Sequence, residues 1–577
     1  MNEWVANRAV RRVATGLASA TALIAGITIA SRLVGFGRWF AQSHALGQTA
    51  TGTAYATANQ LPNVLFEVVA GGALAGAIVP LLAGPLAARV RPDVDRIASA
   101  LLTWALVVLL PGSVLLALLA RPLVGLLMDA PAGADPAASR AMADLAGQLL
   151  VVFAPQVVLY GIGVVLTGIL QAQRKFAWPA AAPLASSVVV IGSYLVFQSV
   201  SEGAVQHPAD LSAQAVAWLG WGTTAGVAAM SLPLLVPVLR SGVRLRPTLR
   251  FPPGVAIRAR HLALAGIGGL VAQQAAVLVT LRLANSRGAT AGGTINIFQY
   301  SQAVYFLPYA VLAVPLATAA FPRLAQHAAT GDLVRYARLV AASTRAVLLV
   351  SAAGAAALIA AAPAIAEVFA SIDASKDPQA LAAMTPTLVL LAPGLLGYAL
   401  IFQLSRVLFA LERGRAAVVA VVIGWLAVVV ASVVAVLALT AHGPDGPATL
   451  RGLAIGNTIG MTVAGGVLLV AVRRSAGPSA LTGTPRTLLV TVGGAVLGAC
   501  GGRLVVDAAL MLTDQDAASA VMAGLGGAAL SALAVATVTW WGDRTTITGT
   551  LAADRHAPHP VVASPAPHPD QRADPHA

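Results

Sequence analysis

Long apolar stretches, separated by short polar clusters, repeat along the whole 577-residue chain. Each stretch is at least as long as the roughly 20 residues that an α-helix needs to cross the hydrocarbon core of a bilayer. The sequence therefore predicts an all-α polytopic membrane protein with about fourteen transmembrane helices. The predicted spans lie near residues 16–41, 54–86, 97–119, 142–172, 178–199, 213–239, 262–284, 293–322, 344–366, 384–410, 416–440, 450–472, 487–508 and 517–541.

Basic residues concentrate in alternate loops, which is an independent test of this count. One set of loops carries mainly arginine, for example at Arg89, Arg91 and Arg174, whereas the opposite set carries mainly acids such as Asp129 and Asp373. Short loops rich in Lys and Arg stay on the cytoplasmic side of a membrane. The alternation predicts an even number of spans with both termini in the cytoplasm.

Composition agrees with a membrane protein and argues against other classes. Hydrophobic residues make up 58% of the chain and charged residues only 10%, against roughly a quarter charged in soluble domains. The net charge of +14 would suggest nucleic acid as a partner in a soluble protein, but here the arginines lie in short loops between spans. The one cysteine, Cys500, allows no intrachain disulfide and no cysteine-based metal cluster.

Catalytic motifs are absent from the sequence. The two lysines, Lys175 and Lys376, do not follow a glycine as in a phosphate-binding G-x-x-x-x-G-K-[ST] loop. Neither a zinc-hydrolase His-Glu pattern nor a G-x-S-x-G elbow occurs. We therefore expect no enzyme, no metal and no cofactor, and energy for transport from an ion gradient, the membrane potential or the substrate's own gradient.

An internal duplication relates the sixth span to the twelfth and the fourth to the tenth. A parallel repeat of this kind is a standard plan of secondary transporters, with the substrate site between the halves. The aligned positions of the sixth and twelfth spans, at an offset of 234, include Leu219, Gly222, Thr224 and Gly226 with Leu453, Gly456, Thr458 and Gly460. The fourth and tenth spans agree more weakly, at an offset of 238.

The repeat predicts two six-helix halves followed by two extra C-terminal helices. The tail is rich in His and Pro, so we expect disorder there, with metal capture by spaced histidines as the weaker alternative. The predicted segments are a cytoplasmic N-terminal segment (1–15), the first half (16–240), a basic cytoplasmic loop (241–261), the second half (262–474), the C-terminal helix pair (475–541) and the cytoplasmic tail (542–577).

Two arginines within the first span are the strongest candidates for substrate binding. A charged side chain at membrane depth costs about 2.5 to 3.5 kcal/mol on insertion scales, so one that persists usually faces a cavity. Arg32 and Arg38 lie about 9 Å apart along an ideal helix and about 120° apart around it. Bending at Gly35 and Gly37 would converge the two guanidiniums on a diphosphate. The alternative is that Arg38 snorkels to the interface and Arg32 pairs with a carboxylate.

Four further polar residues complete the predicted site. Glu67 lies deep within the second span, beside Asn63, and is a natural partner for an arginine, a proton or a cation; structural pairing is its alternative. Arg282 lies near the end of the seventh span, where snorkelling is the alternative, as it is for Arg406 in the tenth. Gln302 in the eighth span is a candidate ligand or an interhelical hydrogen-bonding group.

Several strings in the spans resemble one known family. They are Ser31-Arg-Leu-Val-Gly-Phe-Gly-Arg38, Leu61-Pro-Asn63, Gly72-Ala-Leu-Ala-Gly-Ala-Ile-Val-Pro80, Gly168-Ile-Leu-Gln-Ala-Gln-Arg-Lys-Phe176 and the Leu307-Pro308 to Phe321-Pro322 segment. Together they resemble the MurJ/MviN family of lipid II flippases, within the multidrug/oligosaccharidyl-lipid/polysaccharide exporter superfamily. The resemblance extends over residues 16–541.

The resemblance implies a location and a substrate. It implies a bacterial cell membrane and movement of the undecaprenyl-diphosphate-linked peptidoglycan precursor from the inner to the outer leaflet, in peptidoglycan biosynthesis and cell shape. Arg32 and Arg38 match family cavity arginines implicated in holding the diphosphate. The implied partners are the lipid-linked diphosphate, membrane lipids and, as candidates, cell-wall synthesis proteins.

This sequence departs from the family at several cavity positions. Phe66 and Gly71 stand where many members have Arg and Glu, and Gln302, Ala303 and Phe306 replace an Asp-Arg pair and a Glu. The resemblance therefore implies a less cationic cavity than is usual. Two alternatives stay open: export of another lipid-linked polysaccharide unit or amphipathic molecule, and a non-transporting scaffold for cell-wall synthesis.

Overall fold

A computed structural model describes residues 26–68, 75–375, 381–512 and 516–546, with side chains described in these ranges outside 75–77 and 258–267. The predicted N-terminal segment, most of the predicted tail and Gly71 lie outside these ranges. Regular structure in the described chain is helical, with no strand. This confirms the all-α class.

Twenty α-helices form the described chain. Helices α1 to α10 are 26–45, Ala50–Phe66, Ala75–Ala87, Arg91–Leu118, Ala120–Leu127, Pro136–Phe153, Gln156–Ala172, Ala177–Val200, Ala213–Ser231 and Leu235–Arg240. Helices α11 to α20 are Val255–Ser286, Thr294–Pro308, Val314–Ala329, Leu333–Ile372, Met384–Leu391, Gly394–Ala410, Gly414–Leu439, Gly446–Ala476, Thr484–Leu512 and Ala517–Gly542.

These helices follow the fourteen predicted spans in order. In the described ranges, ten helical stretches are long and apolar enough to cross a membrane, or eleven if α15 and α16, bent by 44°, form one span. The other predicted spans correspond to α1, to α2 with α3, and to α11, which are not among the ten. The protein is therefore a multi-pass membrane protein, and fourteen is consistent with its helix order.

The predicted basic loop 241–261 is shorter in the structure. Helix α11 begins at Val255, after Gly254 in the left-handed conformation, with φ of 78°. The preceding extended segment runs beside α4, where Arg246 N donates to Ser99 Oγ at 2.9 Å and Thr248 N to Thr103 Oγ1 at 3.1 Å. Side-chain hydroxyls on α4 thus accept hydrogen bonds from backbone N–H groups of this extended segment, which are not paired within a helix.

Glycines pack the helix pairs α8–α9 and α17–α18 in the same way. A Cβ on Gly226 would collide with Val190, and one on Gly460 with Val428. These two contacts occupy equivalent places in the proposed repeat. Gly222 and Gly456 likewise face Ser193 and Ser432. Small residues let membrane helices approach closely and gain van der Waals contact.

A threonine hydrogen bond also recurs in both halves. Thr224 Oγ1 donates to Val152 O at 3.0 Å, and Thr458 Oγ1 donates to Leu390 O at 2.6 Å. Each acceptor lies just before a proline, Pro155 or Pro393, that interrupts a span. Because proline leaves nearby carbonyls without an amide donor, a side-chain hydroxyl is a suitable replacement in hydrocarbon. These matched bonds support the two-half repeat.

Helices α19 and α20 pack against each other and against α14. Asp543, just after α20, accepts hydrogen bonds from Thr487, Thr545 and Thr546 at 2.5 to 2.7 Å. Burial raises the pKa of the Asp543 carboxyl, but these hydrogen bonds outweigh burial and lower the pKa to about 2. Arg345 on α14 donates to Thr545 at 3.1 Å. An ionised carboxylate thus fastens the C-terminal pair to the second half.

The glycine packing gives a test of the fold. Gly456→Ala should lower the thermal stability of the purified protein, because the new Cβ would lie 2.5 Å from Ser432 Cα, well inside van der Waals contact. Overpacking of this kind typically costs about 1 to 3 kcal/mol. Gly466→Ala on the same helix is the control, since its Cβ meets nothing within 4 Å. Equal melting temperatures for the two variants would contradict the packing.

Candidate functional site

Helix α1 lies between the two halves. Gly35 faces Ser187 on α8 of the first half. On the other side, the ring centroids of Phe40 and Phe369 are 4.9 Å apart, and those of Trp39 and Tyr300 are 6.2 Å apart. Side chains on α1 therefore reach both halves.

Helix α1 continues without a break through Gly35 and Gly37, because leaving the helix would expose backbone hydrogen-bonding groups to hydrocarbon. On an ideal helix, Arg32 and Arg38 point in directions about 120° apart. That bending at these glycines brings the two guanidiniums to one point stays a prediction.

The two arginines interact with different halves. Arg38 is half-buried and exerts Coulombic effects on the hydroxyls of Tyr55, Tyr160 and Tyr194, all in the first half. Arg32 is exposed and exerts such an effect on Tyr309 in the second half. Each arginine thus belongs to a separate polar environment.

Arg406 joins Arg32 near Tyr309. The Tyr309 hydroxyl interacts electrostatically with both guanidiniums. Arg406 lies over the Phe402 ring, with 3.8 Å from Cζ to the centroid, and its Nη1 donates to Thr318 Oγ1 at 2.8 Å. Sequence reasoning favoured snorkelling for Arg406, because its position near a helix end carried no information about Tyr309.

A cavity of about 470 Å³ lies in the first half. It brings together the predicted residues Asn63 and Glu67. Asn63 Nδ2 donates to Asn59 O at 2.9 Å, and Glu67 forms no ion pair within the described ranges. Polar residues that the sequence did not single out also line it, namely Tyr160, Thr167 and Gln171.

A smaller cavity, of about 130 Å³, lies between α2 and the second half. Gln302, a predicted site residue, lines it among other amides. The amide side chains are those of Gln60, Gln273, Gln299, Gln302 and Asn457, and the aromatic ones are those of Phe298, Phe306 and Trp425. This cavity therefore offers neutral hydrogen-bonding groups beside aromatic faces.

Two of the aromatic residues at family charge positions pack onto other rings. The Phe66 centroid is 4.9 Å from that of Tyr160, and the Phe306 centroid is 5.1 Å from that of Tyr398. Aromatic pairs at such distances gain about 0.5 to 1.5 kcal/mol beyond area burial. At Phe66 and Phe306, packed aromatic rings thus stand where the resemblance implies charges.

Arg282 lines neither of the two cavities. Its Nη2 is 2.5 Å from Asp129 Oδ2, and its Nη1 donates to Leu126 O. Leu126 lies in α5 and Asp129 just after it, both in the first half, so the guanidinium of Arg282 joins the halves.

Other hydrogen bonds join the halves at the same end of the bundle, which we name the acidic end after Asp129 and Asp373. Asp373, at the end of α14, is buried and accepts from Ser43 Oγ at 2.8 Å and from Gln48 N at 3.4 Å. A Cβ at Gly47, where φ is 54°, would lie 2.6 Å from Asp373 Oδ1. Glycine at position 47 therefore allows the carboxylate to reach α1.

Asparagines of the second half extend this closure to α2. Asn285 Nδ2 donates to Thr57 Oγ1 at 3.1 Å, and Asn296 Nδ2 donates to Gly47 O at 2.6 Å. Gly293 N also donates to Thr53 Oγ1 at 2.6 Å. The two halves are therefore closed against each other at the acidic end.

An apolar groove of about 300 Å³ adjoins α1. Helices α1, α12, α14 and α20 form its walls. Its lining includes Phe36, Phe40, Leu307, Val368 and Leu525. The groove joins the cavity-facing helix α1 to the C-terminal helix pair.

The fold and these cavities define a multi-pass membrane transporter built from two halves. The family model for "Lipid II flippase MurJ" matches residues 42–511, which is most of the chain. The protein belongs to the lipid II flippase MurJ family.

Individual relatives are more distant. The chain is 27% identical over 323 residues to a probable lipid II flippase MurJ of Rhizobium meliloti, covering 55% of this chain and 56% of that protein. It is 30% identical over 242 residues to a probable lipid II flippase MurJ of Synechocystis sp., covering 41% and 43%. The chain thus spans about half the length of the curated relatives it matches.

Solved structures support the fold. A lipid II flippase MurJ in an inward closed conformation matches with a TM-score of 0.68 at 19% identity, covering 90% of this chain and 98% of that one. An inward-facing multidrug resistance MATE family transporter of the MOP superfamily matches with a TM-score of 0.62 at 16% identity, covering 80% and 99%. At these identities the likeness concerns the fold alone.

The closure at the acidic end gives a second test. Asp373→Ala should open this end more often, because each lost hydrogen bond to a carboxylate is worth about 1.5 to 3 kcal/mol. In a Cys500→Ser background, the substitution Ala50→Cys reports opening, since Ala50 lies beside Gly292 of the second half. A membrane-impermeant maleimide added at the acidic end should label this cysteine about tenfold faster in the Asp373→Ala variant.

The control is Asp332→Ala, which removes a carboxylate at the other end of α14, where it caps the helix through Arg335 N. It should leave the labelling rate unchanged. Identical rates with and without the Asp373 carboxylate would contradict its role in closure.

Proposed function

We propose that this protein moves lipid II, the undecaprenyl-diphosphate-linked peptidoglycan precursor, from the inner to the outer leaflet by alternating access. The observation that carries the proposal is that Arg32 on α1 and Arg406 on α16 both interact electrostatically with the Tyr309 hydroxyl. Guanidiniums bind phosphate oxygens through two parallel hydrogen bonds, and two of them neutralise a diphosphate. The family membership supplies the class of substrate.

We infer that the basic end of the bundle faces the cytoplasm, with both termini on that side. The Arg-bearing loops lie there, as the positive-inside rule requires. The closure through Asp373 then lies on the outer side, so the conformation described above is closed to the outside. A helix rises about 1.5 Å per residue, so Arg32 lies about 20 Å along the axis from the outer end of α1. Arg38 lies about 10 Å from the same end. A headgroup entering from the cytoplasm meets Arg32 and Arg406 first.

The polyprenyl tail has a route that avoids water. The apolar groove between α1, α12, α14 and α20 is lined by residues such as Phe36 and Leu307. Each buried CH₂ gains about 0.8 kcal/mol, so a long hydrocarbon chain prefers this groove or the bilayer to the polar cavities. The diphosphate thus crosses between the halves while its tail stays in an apolar environment.

Amide side chains around Gln302 offer hydrogen-bonding groups to the sugars and peptide of the headgroup. Amide side chains both donate and accept hydrogen bonds, and Trp425 offers a flat face to the apolar side of a sugar ring. Neutral groups of this kind recognise a headgroup without adding charge. This compensates for the family charges that are missing at Gln302, Ala303 and Phe306.

The test is lipid II translocation in reconstituted vesicles. Arg32→Ala and Arg406→Ala should each lower the rate about 10- to 100-fold, because each removes charge-assisted hydrogen bonds worth about 1.5 to 3 kcal/mol. Arg32→Lys should fall between the wild type and Arg32→Ala, since lysine keeps the charge but not the bidentate geometry. Arg335→Ala, which changes an exposed arginine at the basic end, is the control and should leave the rate unchanged.

Wild-type rates in both alanine variants would remove these arginines from the substrate site. A parallel assay with an undecaprenyl-linked sugar that lacks the peptide separates the alternative substrates. Vesicles that move this lipid but not lipid II would replace the proposal with export of another lipid-linked unit. Vesicles that move neither, with growth lost on deletion after Ala552, would favour a scaffold.

A further inference from the structure

We propose that the basic end of the first half binds an anionic phospholipid, such as phosphatidylglycerol. The site is a cavity of about 520 Å³, separate from the two cavities described above. Its walls are the α3–α4 connection with Arg89, the start of α4 with Arg91, the α7–α8 connection with Lys175, and the segment after α10 with Gly242. The proposal is independent of the transported substrate.

The cavity is cationic. Arg89, Arg91 and Lys175 line it together with one acid, Asp95. Asp95 Oδ1 accepts a hydrogen bond from the backbone N of Arg244 at 3.0 Å. Within the part of the chain that the structure describes, the three cations form no ion pair. With three cationic side chains and one acidic one, the concave surface has a net positive charge, which favours a phosphate group.

Hydrogen bonds between the loops hold the cavity in shape. Gln173 Nε2 donates to Ser241 Oγ at 3.0 Å, which joins the α7–α8 connection to the segment after α10. The Asp95–Arg244 bond joins that segment to α4. The guanidinium of Arg91 lies over Gly242, where a Cβ would be 3.8 Å from Nη1. The cationic groups are thus presented by a preformed surface, which lowers the entropic cost of binding.

The position of the cavity favours a membrane lipid over free phosphate. Phe176 and Trp178, directly after Lys175, are 45% and 47% exposed, as aromatic residues at a membrane–water interface commonly are. Apolar side chains of Leu86 and Val243 line the same cavity and suit the start of an acyl chain. Basic pockets between helices at the cytoplasmic face bind anionic headgroups.

The experiment measures lipid binding to the purified full-length protein by native mass spectrometry. The probes are phosphatidylglycerol, phosphatidylmethanol and phosphatidylcholine with identical acyl chains. Phosphatidylmethanol has the same charge as phosphatidylglycerol, and phosphatidylcholine has no net charge. Phosphatidylglycerol and phosphatidylmethanol should each bind about tenfold more tightly than phosphatidylcholine. Inorganic phosphate at millimolar concentration should not displace the bound lipid.

Two double variants test whether the charge of this cavity holds the lipid. The double substitution Arg91→Gln with Lys175→Gln should weaken phosphatidylglycerol binding about tenfold, whereas Arg473→Gln with Arg474→Gln, at the end of α18, should not. Size-exclusion profiles establish that each variant is folded.

Unchanged phosphatidylglycerol binding in the folded Arg91/Lys175 double variant would overturn the site. An equal loss in the Arg473/Arg474 variant would also overturn it, because the attraction would then follow net charge alone. Equal binding of phosphatidylglycerol and phosphatidylcholine by the wild type would refute a site for anionic lipid. Displacement by inorganic phosphate would indicate a free-phosphate site in place of a lipid site.

Discussion

The hydrocarbon core of the bilayer, which offers no hydrogen bonds to a polar group, is the constraint on which the rest of the structure depends. Backbone groups must pair within helices, and for this reason α1 stays regular through Gly35 and Gly37. Where prolines interrupt a span, a threonine hydroxyl serves the free carbonyl, as Thr224 and Thr458 do. Charged side chains are tolerated only where they meet a partner or a cavity. Arg406 over Phe402 and Arg282 beside Asp129 show the first case.

Closure at one end gives these polar groups a mechanical role. Carboxylate and amide side chains join the halves at the acidic end, where Asp373, Asn285 and Asn296 reach across. Each of these hydrogen bonds contributes only about 0.5 to 3 kcal/mol. A headgroup that binds more tightly when the acidic end is open can therefore offset their loss. The proposed cycle needs two arrangements of similar free energy, and a polar closure is easier to reverse than a packed apolar one.

Much of the fold followed from sequence because it depends on periodic properties. The lengths of the spans and the repeat of Gly222 at Gly456 can be recognised in the sequence. The candidate site was predicted less completely, because it depends on which helix faces pack together. Asn63 and Glu67 were predicted and share a cavity, but Arg32 meets the environment of Arg406 and not that of Arg38. Arg282 reaches Asp129 across 153 positions, and no local pattern indicates such a partner.

The most direct measurement of alternating access is a pair of distances across the two ends of the bundle. In a Cys500→Ser background, spin labels at Ala209 and His442 report the acidic end, and labels at Arg96 and Arg415 report the basic end; all four positions are exposed. Addition of lipid II in vesicles should populate a state in which the first distance lengthens and the second shortens. Fixed distances at both ends, in vesicles that translocate lipid II, would contradict the account.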